Sequence, residues 1–152
     1  MDKILRVVID TNHIISAILS SRGASAKLID WMSRGEEYFR LLLSKPIWDE
    51  YSTVADWLIP NTKRPEKERI MEALNTHSEW VKPYLRLDVC RDPSDNYFLE
   101  CAASGNADYL VTKNIKHFPP KQYDNVKIVR IRKFLQVLEG IEESRTVKLP
   151  GR

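Results

Sequence analysis

The chain has 152 residues and a formal net charge of +3. That length suits one domain burying about two-thirds of the surface its unfolded form exposes, so folding requires neither disulfides nor a structural metal. The mild charge excludes a dedicated basic nucleic-acid-binding arm but admits a polyanionic substrate, and no run approaches the roughly 20 apolar residues that span a bilayer.

The amino terminus, MDKILRVVIDTN, has too short an apolar stretch for a signal peptide and carries Asp2 and Arg6 around it. Cys90 and Cys101 form no C-x-x-C pair, and no Cys/His cluster has zinc spacing. The expectation is two buried thiols in a chain of the reducing cytoplasm.

In chain order, Ile4 to Ile9 reads as a strand apolar on both faces, suited to the middle of a parallel sheet covered by helices. The run stops at Asp10, which either caps the next segment or stands in the crevice at the carboxyl ends of the strands. A turn or short helix follows, then a Ser/Gly break and a helix from about Ser25 to Arg34, with Gly35 as its stop. Tyr38 to Leu43 reads as a second buried strand.

Ser44 opens a helix with Pro46 in its first turn, where a missing N–H costs nothing. Ile47, Tyr51, Val54 and Leu58 make an apolar stripe, and Glu50 falls on it. A carboxylate facing the core is costly unless it meets a partner or a cation; at the stripe's edge it reaches water.

The polar stretch 58–69 predicts a loop or helical arm, and a helix is predicted from about Pro65 to Val81, with His77 as an exposed helix residue. A short edge strand is expected around Leu85 to Val89. Asp92, Pro93 and Asp95 start a helix that ends near Ser104, with Gly105 as a left-handed cap. Tyr109 to Thr112 is a short buried strand followed by Asn114. A strand around Val126 to Ile131 and a helix to about Leu138 complete a domain spanning 1–139, and residues 140–152 are expected to form a flexible tail. The order of elements is that of a parallel sheet with helices on both faces.

Asp10 and Asn114 then sit just past two strands, while Glu50 and Asp95 occupy early turns of helices, and in a parallel sheet these places share one edge. Two carboxylates roughly 5 Å apart repel by about 3 kcal/mol at an effective dielectric of 20. A divalent cation reverses the sign, and oxygen-only ligands suit Mg²⁺ or Mn²⁺ at a site acting on phosphoryl groups. Lys113, Lys116, Arg22 and Lys27 fall near the same edge, where they either contact a nucleic-acid backbone or are simply solvated. Tyr97 and Phe118 either stack on bases or belong to the core.

These motifs, VIDTN at Asp10, the isolated Glu50, DPSDNYFLECA from Asp92 to Ala102, and ADYLVTKN from Ala107 to Asn114, together resemble the PIN domain, with the bacterial and archaeal VapC-like toxins of toxin–antitoxin pairs as the nearest subgroup. The resemblance covers about Ile4 to Leu138. It implies a three-layer α/β/α fold and a metal-dependent ribonuclease. By position, Asp10, Glu50 and Asp95 match the family's first three acidic residues, and Asn114 matches the fourth, which is usually Asp. Thr11, Asn12 and Thr112 match supporting polar positions, and Asp92 either adds a charge or caps its helix. The resemblance further implies an RNA substrate, a small antitoxin partner and often a homodimer.

The loss of a charge at Asn114 lowers both apo repulsion and metal affinity. It also opens a reading as a catalytically weak module that binds RNA or a protein partner. No G-x-S-x-G elbow, phosphate-binding P-loop or G-x-G-x-x-G is present. A haloacid-dehalogenase-type phosphatase would have a second acid where Asn12 stands.

Overall fold

A computed structural model describes residues 3–34, 38–119 and 122–147. Among these residues six strands form one sheet in the order β3-β2-β1-β4-β6-β5. The strands are β1 (Leu5–Ile9), β2 (Phe39–Leu43), β3 (Ser78–Trp80), β4 (Tyr109–Val111), β5 (Gln122–Tyr123) and β6 (Val126–Val129). The first four and β6 run parallel, and β5 pairs antiparallel with β6. The helices are α1 (Thr11–Leu19), α2 (Ala24–Met32), α3 (Lys45–Leu58), α4 (Arg64–Thr76), α5 (Asn96–Ser104) and α6 (Ile131–Val147).

Pleating explains the three layers. Register pairs share a face, so Leu5, Val7, Phe39, Leu41 and Tyr109 lie on one side of the sheet. On that side Phe134 of α6 meets Phe39 and Tyr109, with ring centroids 5.4 and 5.2 Å apart, and α6 also packs on α2. Leu42 points the other way, toward Gly105 at the end of α5. The sheet is thus covered on both faces, and Val7, Val8 and Ile9 are fully buried. Both cysteines are free and buried, and burial pushes their thiols up to about 11 for Cys90 and about 12 for Cys101.

Five expectations are corrected. The helix predicted to reach Val81 ends at Thr76, and Ser78–Trp80 forms the edge strand instead, held where Arg6 of β1 grips Glu79 through Nη1 and Nη2 at 3.0 and 2.6 Å. Residues 85–89 form no strand; their backbone is tied to side chains of α5, with Leu87 N–H donating to Glu100 and Val89 N–H to Asn96. Gly105 has an ordinary φ of −92°, and Asn106 at φ 54° is the left-handed residue. Gly105 is required instead by close approach, since a Cβ there would lie 2.9 Å from both Leu42 and Val81. The last helix does not stop near Leu138: α6 runs through Gly140 to Val147, because Ile141 packs against the core and Arg145 lies 4.2 Å over the Tyr38 ring. Leu58 leaves the buried stripe of α3, which continues through Ala55 to Ile59 at four-residue steps. The expected stop at Gly35 and the end of the tail, 148–152, lie outside the described residues.

Candidate active site

Parallel pairing of β2, β1 and β4 sets their carboxyl ends along one edge, and the polar residues that follow the strands collect there. Asp10 is 5% exposed. Its backbone N–H donates to the Val111 carbonyl at 2.9 Å, stitching the end of β1 to the end of β4. The Thr112 hydroxyl donates to Asp10 Oδ2 at 2.6 Å and accepts the Asn114 N–H at 3.0 Å, so one hydroxyl orients the acid and fixes the turn after β4.

Glu50 reaches the same edge from α3. Fully buried Ile47 and Tyr51 anchor that helix, and the Tyr51 hydroxyl donates to the Ile9 carbonyl at the end of β1. Glu50 Oε2 accepts the hydroxyl of Thr11, the residue next to Asp10. Asp95 ends the 3₁₀ turn Pro93–Asp95 just before α5. Its Oδ2 is buried, has no hydrogen-bond donor, and lies 3.3 Å from His117 Nδ1.

Electrostatic interaction links Asp10 to Glu50 and to Asp95. Burial raises the Asp10 carboxyl above its ordinary range, against the opposing Thr112 and Thr11 hydrogen bonds and the charges of His117 and Lys113. Burial also raises Glu50, against the Thr11 hydrogen bond, with the charges of Asp10 and Asp92 adding to the rise. Asp95 is pushed up to about 6 by burial, then by Asp10 and Asp92. Among the described residues, no three His, Cys, Asp or Glu side chains stand in a ready-made metal-ligating arrangement. Instead each acid is turned onto a protein partner: Thr112, Thr11 or His117.

The other predicted residues divide. Asn114 sits half-buried at the head of the 3₁₀ turn Ile115–His117. Asp92 is exposed and caps its turn, accepting from Ser94 N–H at 3.1 Å and Ser94 Oγ at 3.0 Å, which holds its carboxyl below the usual range. Asn12, Arg22, Lys27, Lys113 and Lys116 are exposed. Lys113 Nζ donates to Ser16 Oγ at 3.0 Å. Tyr97 is 43% exposed, whereas Phe118 is 5% exposed and belongs to the core, which removes it as a base-stacking surface. His77 is half-buried at the carboxyl end of α4.

Sequence reading missed His117 and His13. His117 meets Asp95 only because the chain folds back after β4, and no local spacing signals that. His13 follows Asp10 by three residues on α1; it is 1% exposed, and its Nδ1 lies 3.0 Å from Ser25 Oγ.

The fold and site define a class: a three-layer α/β/α domain with a buried acid, Asp10, and the half-buried Glu50 and Asp95 toward the carboxyl edge of a mostly parallel sheet. A family model described as PIN domain matches residues 6–116. The chain therefore belongs to the PIN domain family, whose members are in general nucleases. It is 32% identical over 113 residues to the uncharacterized protein MJ1680 of Methanocaldococcus jannaschii, a match covering 70% of each chain. The crystal structure of VapBC2 from Rickettsia felis, bound to a DNA fragment from its promoter, shares the fold with a TM-score of 0.50 at 16% identity, covering 82% of this chain and 97% of the matched one. Among the described residues no helix is long and apolar enough to cross a membrane.

Proposed function

We propose that the chain is a divalent-cation-dependent endoribonuclease that hydrolyses RNA phosphodiester bonds. The observation that carries this reading is the set of three acids at one sheet edge, each with its pKa raised by burial and two of them, Glu50 and Asp95, raised further by the charge of Asp10. Buried like charges are poor architecture without a compensating cation.

The donor chemistry suits Mg²⁺ or Mn²⁺ once the acids turn from Thr112, Thr11 and His117. The donors are all oxygens, and Asp95 Oδ2 is a buried acceptor whose contact with His117 Nδ1, at 3.3 Å, falls short of hydrogen-bond geometry. Asp10, Glu50 and Asp95 would hold the cation, and Asn114 adds an amide oxygen in place of a fourth charge. A cation bound there lowers the pKa of a bound water and neutralises charge on the phosphate.

The chain's own residues do the positioning. Thr112 and Thr11 orient Asp10 and Glu50, and Tyr51 ties α3 to the end of β1. Asp92, exposed beside Asp95, adds negative potential. Arg22, Lys27, Lys113 and Lys116 supply positive side chains for the RNA backbone.

The toxin of a toxin–antitoxin pair is the biological role proposed, in the cytoplasm, with a small antitoxin covering the acidic site and a homodimer as the working unit. The VapBC2 fold likeness supports this role, as does an apolar exposure at the end of α3, where Trp57 is 83% and Leu58 53% exposed. Asn114 favours a second reading, a catalytically weak module that keeps the pocket for binding.

RNA cleavage by the parent chain, Asp10→Asn and Asn114→Asp, each with Mn²⁺, Mg²⁺ or EDTA, decides between them. Cation-dependent cutting by the parent, lost in Asp10→Asn, is expected. Full activity in EDTA refutes the mechanism, and RNA binding without any cutting favours the second reading.

A further inference from the structure

His117 stands against the acids without a part in the chemistry above. It ends the 3₁₀ turn Ile115–His117, three residues after Asn114, the position where the fourth charge is missing. Two main-chain bonds fix that turn: the His117 N–H donates to the Asn114 carbonyl at 2.9 Å, and the His117 carbonyl accepts the Arg91 N–H at 2.9 Å. The second bond joins it to the residue before Asp92, and Asp92 caps the turn that carries Asp95. Backbone therefore holds the ring and the acid together from both sides.

Their contact is not an ordinary pairing. Nδ1 lies 3.3 Å from Asp95 Oδ2 yet falls short of hydrogen-bond geometry, and Oδ2 is buried with no donor from elsewhere. A buried carboxylate oxygen is normally hydrogen-bonded. Two ligand atoms in adjacent positions on one ion, each bonded at about 2.1 Å, stand about 3.0–3.4 Å apart and are not directed at each other. Nδ1 and Oδ2 already have that separation, so the turn that a shared ion asks of Asp95 is small. The ring is also in electrostatic reach of Asp10 and Asp92, and its side chain is 39% exposed, which leaves solvent access.

We propose that His117 Nδ1 is a ligand of the cation beside Asp95, a neutral nitrogen donor added to a set that lacks its fourth carboxylate, and that it biases the site from Mg²⁺ toward a first-row transition ion. The assignment rests on the nuclease reading and concerns the metal that reading requires. Mg²⁺ takes oxygen ligands, whereas imidazole suits transition ions, whose affinity for a nitrogen-containing site rises from Mn²⁺ to Co²⁺. Ligation through Nδ1 places the ring proton on Nε2. A neutral donor adds a bond to the ion without adding to the repulsion among Asp10, Glu50 and Asp95.

The test titrates the full chain with Mg²⁺, Mn²⁺ or Co²⁺ by calorimetry, with no RNA present, and reads the visible absorption of bound Co²⁺, which responds to its ligands. The parent is expected to bind Co²⁺ more tightly than Mn²⁺, and Mn²⁺ more tightly than Mg²⁺. His117→Gln, with its fold checked by circular dichroism, is expected to lose about tenfold or more in Co²⁺ affinity, to shift the Co²⁺ absorption, and to hold Mg²⁺ within about twofold of the parent. His117→Asp supplies an oxygen ligand instead, and is expected to tighten Mg²⁺ and to narrow the gap between Co²⁺ and Mg²⁺.

An equal loss of Co²⁺ and Mg²⁺ in His117→Gln, with the Co²⁺ spectrum unchanged, gives the ring a packing or charge role and overturns the assignment. Tighter binding of every cation in that variant also overturns it, making His117 a group that the ion displaces. Both results leave the nuclease reading intact where the parent cleaves RNA only with added cation. A parent chain that binds no cation and cleaves no RNA overturns the reading and the assignment together.

Discussion

Asp95 shows how a single residue links charge to stability. Burial, then the charges of Asp10 and Asp92, hold its carboxyl at about 6 instead of the ordinary 3.8. The folded state therefore keeps this proton to higher pH than the unfolded chain, so the contribution to stability is present at low pH and is lost as pH rises from about 4 to 6. Melting curves in EDTA should show the parent losing Tm relative to Asp95→Asn across that window, and parallel curves would contradict the assignment. Thr112 acts one step away, through the Oδ2 of Asp10 and the Asn114 amide. If the proposed nuclease reading holds, Thr112→Val should keep the fold and lose about 10- to 100-fold in RNA cleavage, the usual scale for a group that orients a metal ligand. Asn114→Asp restores the fourth carboxylate, and calorimetric Mn²⁺ titration should show tighter binding.

At the scale of elements, α5 meets the sheet at Gly105, where no Cβ fits against Leu42 and Val81. Gly105→Ala should cost about 1–3 kcal/mol by overpacking, read as a lowered denaturation midpoint with unchanged slope. The long apolar strands and the helices with an apolar stripe were legible in the sequence, since their patterns are local. Strands β3 and β5, of three and two residues, were not. Ser78, Glu79 and Trp80 carry no alternation a reader could detect, and what makes them a strand is the neighbouring β2 and the Arg6 fork on Glu79. The left-handed turn falls on Asn106, and Gly105 instead serves the close approach to Leu42 and Val81, which no single segment reveals.

On the scale of the whole molecule, α6 closes the α2 side of the sheet and carries the chain past Gly140, where the tail was expected to begin, and Gly140 has open space around it and needs no special conformation. Deleting residues 140–152 removes Ile141 from the core and Arg145 from the Tyr38 ring. The truncated chain should melt at least about 4 °C lower, the shift expected for a loss of about 2 kcal/mol in a chain of this size. An unchanged Tm would mean that the expected tail, and not the observed helix, describes these residues in solution.

The sequence by itself determined a parallel α/β architecture and the acids worth watching, because apolar strand runs, helix starts and a carboxylate on an apolar stripe are properties of neighbouring residues. Only the tertiary structure decided which groups share space. The pairing of His117 with Asp95, the hold of Thr11 on Glu50 and the burial of Phe118 all depend on segments brought together across the sheet edge. Desolvation and Coulomb energy are set by distance in space, so the raised pKa values that mark the site arise only once the chain has folded.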